Sequence, residues 1–237
     1  MAYNLNNKLV IAISSRALFD LEEENQIFEK DGLDAYYKYQ LENEDKSLKK
    51  GTGYRLVENI LKINSFFSSD ERQVEVIILS KNNAATSLRI TNAINDLKLD
   101  IIRSAWTSGT NISNYLKAFK VDLFLSADDN DVLNAIENGV AAAKILHSNE
   151  NIHNISNEQV RIAFDGDAVL FSEESELVYK NHGLEAFIEH EKENRNNPLE
   201  MGPFAKLLLT IAKIQAKFPT DKSPIRTALV TARSAPT

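Results

Sequence analysis

The sequence predicts an α/β fold of two tandem units with parallel sheets, the second unit incomplete. Three observations lead there. Short apolar runs alternate with helix-forming stretches, the pattern of strands joined by crossover helices. The chain matches itself without gaps when slid by 151 positions. An Asp-Gly-Asp also follows one apolar run directly, in R-I-A-F-D-G-D-A-V-L-F (161–171). That is where the carboxyl end of a buried strand, the usual ligand side of a parallel sheet, is expected.

The elements follow in chain order. L-V-I-A-I (Leu9–Ile13) is a short apolar run closed by Ser14 and Ser15, which predicts a buried strand. Glu22–Gln40 has helix-forming composition, with Ile27, Phe28 and Leu33 on one side and an interruption at Gly32. Its acidic start, Glu22–Glu24, suits the positive end of a helix dipole. Tyr54–Phe66 carries Leu56, Val57, Ile60, Leu61 and Ile63 at helical spacing. Val74–Leu79 is rich in β-branched residues and predicts a second buried strand. Helices Ser87–Leu97, Ile112–Phe119 and Asp129–Asn138 then alternate with strands Ile101–Trp106 and Val121–Leu125. Ala205–Lys217 places Leu207, Leu208, Ile211 and Ile214 on one helical face, which reads as core.

The repeat sets the domain organisation. At the offset of 151, Leu9–Ile13 falls on Val160–Phe164, Gly32-Leu33 on Gly183-Leu184, Gly51 on Gly202 and Ile60 on Ile211. V-E-V-I-I-L-S lies over I-R-T-A-L-V-T, so Ser80 meets Thr231. The expected units are 1–150 and 151–237, and the second stops at Thr237, the equivalent of Thr86. The counterpart of 87–150 is then missing from the second copy, and the unpaired sheet edge this leaves would favour association, as in a homo-oligomer, or poor solubility.

Totals narrow the function classes. The 237 residues carry a net charge of −7, which does not suit wrapping a nucleic-acid backbone. No apolar run approaches the ~18 residues of a membrane span. The N-terminus lacks the basic and apolar regions of a secretory signal, and there is no cysteine for disulfides or thiolate metal sites. A cytoplasmic protein is expected. The four histidines (147, 153, 182, 190) show no metal-ligand spacing.

In an extended segment, residues i and i+2 project to the same side, so Asp165 and Asp167 would converge, with Gly166 allowing close backbone approach. Two such carboxylates can hold a hard divalent cation, or divide the work of nucleophile and proton carrier. A loop that merely turns the chain is the plain alternative. Hydrophobic strand, D-G-D-A-V, helix, then a strand ending in Thr231 resembles the haloacid-dehalogenase-like phosphohydrolases. D-G-D-A-V-L-F with L-V-T-A-R-S-A, and S-S-R-A-L-F with F-L-S-A-D, is more closely similar to the cytosolic 5′-nucleotidase type I family.

The resemblance implies Mg2+-dependent hydrolysis of nucleoside 5′-monophosphates. Asp165 would be the nucleophile and Asp167 the acid and base, both serving the metal. Thr231 and Arg233 would hold the transferring phosphoryl group. The family pattern also asks for a third-motif Lys and a fourth-motif acidic pair, which in the second copy would lie past Thr237. A non-catalytic nucleotide- or phosphate-binding protein, an inactive fragment lacking those motifs, and a phosphatase for another ester remain the alternatives.

The first copy has Ser14-Ser15-Arg16 where the second has Asp-Gly-Asp, so it has no carboxylate nucleophile. It does carry Ser80, Lys117 and Asp128-Asp129 in order, as second, third and fourth motifs should run. Two readings stand: a scaffold whose charged groups are solvated, or a phosphate-sized pocket with Ser14, Ser15, Arg16, Ser80 and Lys117 as donors. Trp106, followed by T-S-G-T, is either core packing or a base-stacking ring.

Overall fold

The computed structural model describes residues 4–147, 159–165, 181 and 204–230. They fall in two compact units, Met1–Val160 and Arg161–Thr237.

The first unit is built on a five-stranded parallel sheet. Its strands are β1 (Leu9–Ile13), β4 (Val74–Ser80), β5 (Arg103–Trp106), β6 (Leu123–Ser126) and β7 (Ala142–Lys144), in the lateral order β5-β4-β1-β6-β7. The chain winds outward from β1 through β4 to β5, then returns to β6 on the other side and winds outward again. Such an order leaves a crevice where the winding reverses, above the carboxyl ends of β1 and β6.

All five residues of β1 are buried, and so are all seven of β4. Strands covered on both faces read as continuous apolar runs, which is why both were legible in the sequence. Val10, Ala12, Ile77, Leu79 and Phe124 pack with Ile112, Leu116 and Ala135 into one core. Leu9, Ile11 and Ile13, alternating with them along β1, are equally buried. Each large apolar side chain so buried stabilises the fold by about 1.5–3 kcal/mol. β6 begins pairing with β1 only at Leu123, and just before it Asp122 completes the ladder: Val10 N–H donates to its Oδ2 (2.9 Å) while its own N–H donates to Val10 C=O (2.8 Å).

The helices are α1 (Ser15–Leu18), α2 (Glu22–Glu42), α3 (Tyr54–Lys62), α4 (Leu88–Asp96), α5 (Ser113–Ala118) and α6 (Asp129–Glu137). A 3-10 turn, Ile63–Phe66, finishes the helix expected to run to Phe66. α2 is two helical arms meeting at Gly32, whose φ of 84° breaks the helix where the sequence placed an interruption. The short α1, the two-residue strands β2 (Phe19–Asp20) and β3 (Lys49–Lys50), and β7 had no counterpart in the sequence reading. β2 and β3 pair antiparallel.

In the second unit, β8 (Val160–Asp165) and β9 (Ile225–Val230) are hydrogen-bonded neighbours, and α7 (Ala205–Gln215) precedes β9. α7 buries Leu207, Ile211 and Ile214. Elements of the two units start in step: β1 and β8 at Leu9 and Val160, α3 and α7 at Tyr54 and Ala205, β4 and β9 at Val74 and Ile225. Even the 3-10 turns just ahead of β4 and β9 start at Ser69 and Thr220. Each pair is separated by the 151 residues of the sequence offset.

Gly51 follows β3 and donates its N–H to Leu18 C=O (2.9 Å). A Cβ there would stand 2.7 Å from the Phe19 carbonyl carbon and 2.9 Å from the Leu18 oxygen, both backbone atoms. Gly51→Ala is therefore expected to cost about 1–3 kcal/mol. The readout is a lower denaturant midpoint at unchanged slope in equilibrium unfolding.

Candidate functional site

β8 delivers Asp165. Val160 and Phe164 are buried, Ile162 is half-buried, and Asp165 is exposed as the last residue of the strand. The strand thus ends in a carboxylate at its carboxyl edge, the position the sequence assigned to the nucleophile. Asp167, Thr231 and Arg233 lie outside the described residues. Among the described residues, no group of three or more His, Cys, Asp or Glu gathers as a metal site.

In the first unit, the equivalent strand ends open into a cavity of about 720 Å3. Ser14, Ser15 and Arg16 reach it from the end of β1, Ser80 from the end of β4, and Asp128 from just after β6. Of the residues read from the sequence, those five come together. Lys117 and Asp129 do not line the cavity. Lys117 is exposed in the last turn of α5, and Asp129 pairs with Lys144 (2.6 Å). A different lysine, Lys81, follows β4 into the cavity and pairs with Asp131 Oδ1 (2.6 Å). Trp106 is not on the lining, whereas Ser108 and Gly109 of the T-S-G-T segment are.

The floor is a hydrogen-bonded chain centred on Asn82. Ser15 Oγ and Ser80 Oγ lie 2.9 Å apart, and Asn82 Oδ1 accepts from Ser80 (2.7 Å) and Ser15 (3.1 Å). Asn82 Nδ2 donates to the Tyr36 hydroxyl (2.7 Å) and Thr86 Oγ1 (3.3 Å), and Gln40 Nε2 donates to the same Tyr36 oxygen (3.0 Å). On the β6 side, Ser126 Oγ bridges Ser14 Oγ (3.3 Å) and Asp131 Oδ2 (3.4 Å). Lys81, Asn82, Tyr36 and Asp131 went unread in the sequence. For Lys81 and Asn82 a signal existed, since they directly follow the strand-ending Ser80.

The wall comes from α2. Phe28, Leu33 and Tyr36 line the cavity, and the Phe28 and Tyr36 rings meet edge to face at 5.9 Å. Buried Arg89 fixes α2 over the site: it pairs with Glu24, donates to Gln40 Oε1 (3.4 Å), and gives its Nε–H to Lys46 C=O (3.0 Å). Three carboxylates (Glu24, Asp128, Asp131) line the cavity against two cations, Arg16 and Lys81. Arg16 is itself paired with Glu22 (3.1 Å).

Comparison with known proteins places these features. A family model described as 5′-nucleotidase matches residues 1–237. Human cytosolic 5′-nucleotidase 1B is 36% identical across 97% of this chain and 39% of its own length. The chain thus spans about two fifths of the length of that relative.

Burial raises the Tyr36 phenol above its ordinary value, and the donors Gln40 and Asn82 only partly oppose this. The unfolded chain releases that proton at a lower pH than the folded one. The stabilisation is therefore complete below the ordinary tyrosine pKa of about 10 and is lost as pH rises through the higher folded value. Thermal unfolding across the alkaline range should show stability falling above about pH 10, and Tyr36→Phe should flatten part of the fall. Tyr39 and Tyr54, raised by the same cause, should keep the remaining slope.

Proposed function

The chain belongs to the 5′-nucleotidase family, and from that premise we propose that it hydrolyses nucleoside 5′-monophosphates to nucleoside and phosphate through an aspartyl-phosphate. The observation that carries the reading is Asp165, an exposed carboxylate on the last residue of a strand anchored by buried Val160 and Phe164. Its counterpart 151 residues earlier, β1, is followed by Ser14 and Ser15, so the two units differ in chemistry at the point where a nucleophile would stand.

In this reading an Asp165 carboxylate oxygen attacks phosphorus, and the bond from phosphorus to the 5′ oxygen breaks. Asp167 gives its proton to the departing nucleoside oxygen, then takes one from the water that attacks the phosphoryl group and frees Asp165. Thr231, through its hydroxyl and N–H, and Arg233, through its guanidinium, hold the phosphoryl oxygens. Asp165, through its carboxylate, and Asp167, through its backbone carbonyl, offer hard oxygen donors, the kind Mg2+ prefers. They are the residues that would hold it. Bound there, it supplies neutralisation of phosphate charge. The cytosolic name of the human relative supports a cytoplasmic setting. No helix among the described residues is long and apolar enough to cross a membrane.

Phosphate release from AMP and IMP tests the proposal. The expected result is release that requires Mg2+, stops in EDTA, and drops by at least about a thousandfold in Asp165→Asn. Release that is equal in the two proteins, or absent from both, overturns it for this chain.

A further inference from the structure

We infer that the cavity over the first sheet binds a neutral ligand with a flat aromatic face and a hydroxyl- or amide-bearing edge, the chemistry of a nucleoside. The two readings left open by the sequence were a bare scaffold and a phosphate pocket, and the geometry points away from both.

The cavity is too large and too apolar on one side to be the remnant of a turn. At about 720 Å3 it falls within the ~300–1,000 Å3 of ordinary small-molecule sites. Its wall leaves large apolar side chains in the open, with Phe28 48% and Leu33 61% exposed. Phe28 is held edge-on to Tyr36, so an aromatic surface is already fixed in place for a flat ring to meet.

Proton counting selects what the floor recognises. The Tyr36 oxygen accepts from both Gln40 and Asn82, so its own hydrogen is left to be given to a third group. Ser15 and Ser80 have two hydroxyl hydrogens to share between each other and the Asn82 carbonyl, and in every arrangement serine lone pairs remain as acceptors. Donor and acceptor capacity therefore stand side by side. A ribose hydroxyl or the edge of a heterocycle can answer both, whereas a phosphate dianion only accepts.

Charge argues the same way. Both cations on the lining are paired, Lys81 with Asp131 and Arg16 with Glu22, as Glu24 is with Arg89. A dianion would have to displace those partners and then sit beside them. The inference is independent of hydrolysis at Asp165, because its readout is binding within the first unit.

The test is titration of the full chain with adenosine, inosine and inorganic phosphate, by calorimetry and by the fluorescence of Trp106. That residue is the single tryptophan, and it pairs in register with Ser80. The expected result is saturable nucleoside binding that shifts Trp106 emission, persists in Asp165→Asn, and is not competed by phosphate. Phe28→Ala, at an exposed position, should weaken it about three- to tenfold. Tyr36→Phe, which keeps the ring and removes the donor, should weaken it about two- to tenfold. Absence of saturable heat, affinity unchanged in both variants, loss of binding in Asp165→Asn, or competition by phosphate would each overturn the inference.

Discussion

Every residue of β1 is buried, so each of its backbone groups must be paired inside the protein, and the first unit is arranged around that demand. β4 satisfies one side along the whole strand, from Leu9 opposite Val74 to Ile13 opposite Ile78. β6 satisfies the other side for three residues, and the Asp122 side chain extends the pairing by one more. Parallel neighbours on both sides require crossovers, and crossovers bring helices onto both faces. The carboxyl ends of three strands are left as the place where chain leaves the sheet at close quarters. Ser14, Ser80 and Ser126 converge there because the hydrogen-bond ladder of β1 puts them there.

The same frame serves different chemistry when its strand-end residues change. β8 starts in step with β1 and ends in Asp165, while β1 gives way to Ser14 and Ser15. A carboxylate at that position offers anionic oxygens, the chemistry suited to attacking an electrophile or ligating a hard cation. A pair of hydroxyls at the same position is a hydrogen-bonding surface. Four of the five positions in Leu9–Ile13 stay apolar in Val160–Phe164, the exception being Val10 against exposed Arg161, and those shared apolar positions carry no information about which chemistry sits on top.

Much of this was legible in the sequence because buried parallel strands are continuous apolar runs bounded by polar residues. Leu9–Ile13 was read to the residue, and Val74–Leu79 only one residue short of Ser80. α1, β2, β3 and β7 were invisible, since two to four residues hold no period to detect. Glu75, inside the run read as a buried strand, is wholly buried despite its charge, and Arg103 and Arg72 hold its carboxylate there. Pairing across the sheet is not a local signal. The site divides along the same line. Ser14, Ser15 and Ser80 were found because they end strands. Tyr36 was not, because it comes to the floor from the far arm of a helix. Lys81 serves the cavity rather than Lys117 because a cation's place follows from the strand end it leaves, not from its distance to the next strand.

The break at Gly32 divides a 21-residue helix into two arms, each shorter than the ~12–15 residues at which an isolated helix begins to hold its shape in water. Neither arm is secured by its own sequence. Glu24 belongs to the first arm and Gln40 to the second, and both rest on the one guanidinium of Arg89. The covering segment is thus an arch whose two arms meet on one guanidinium, with Arg16–Glu22 as a further tie on the first arm and Asn82–Tyr36 on the second. Loss of Arg89 therefore loosens both arms at once, while each keeps a contact of its own at the strand ends.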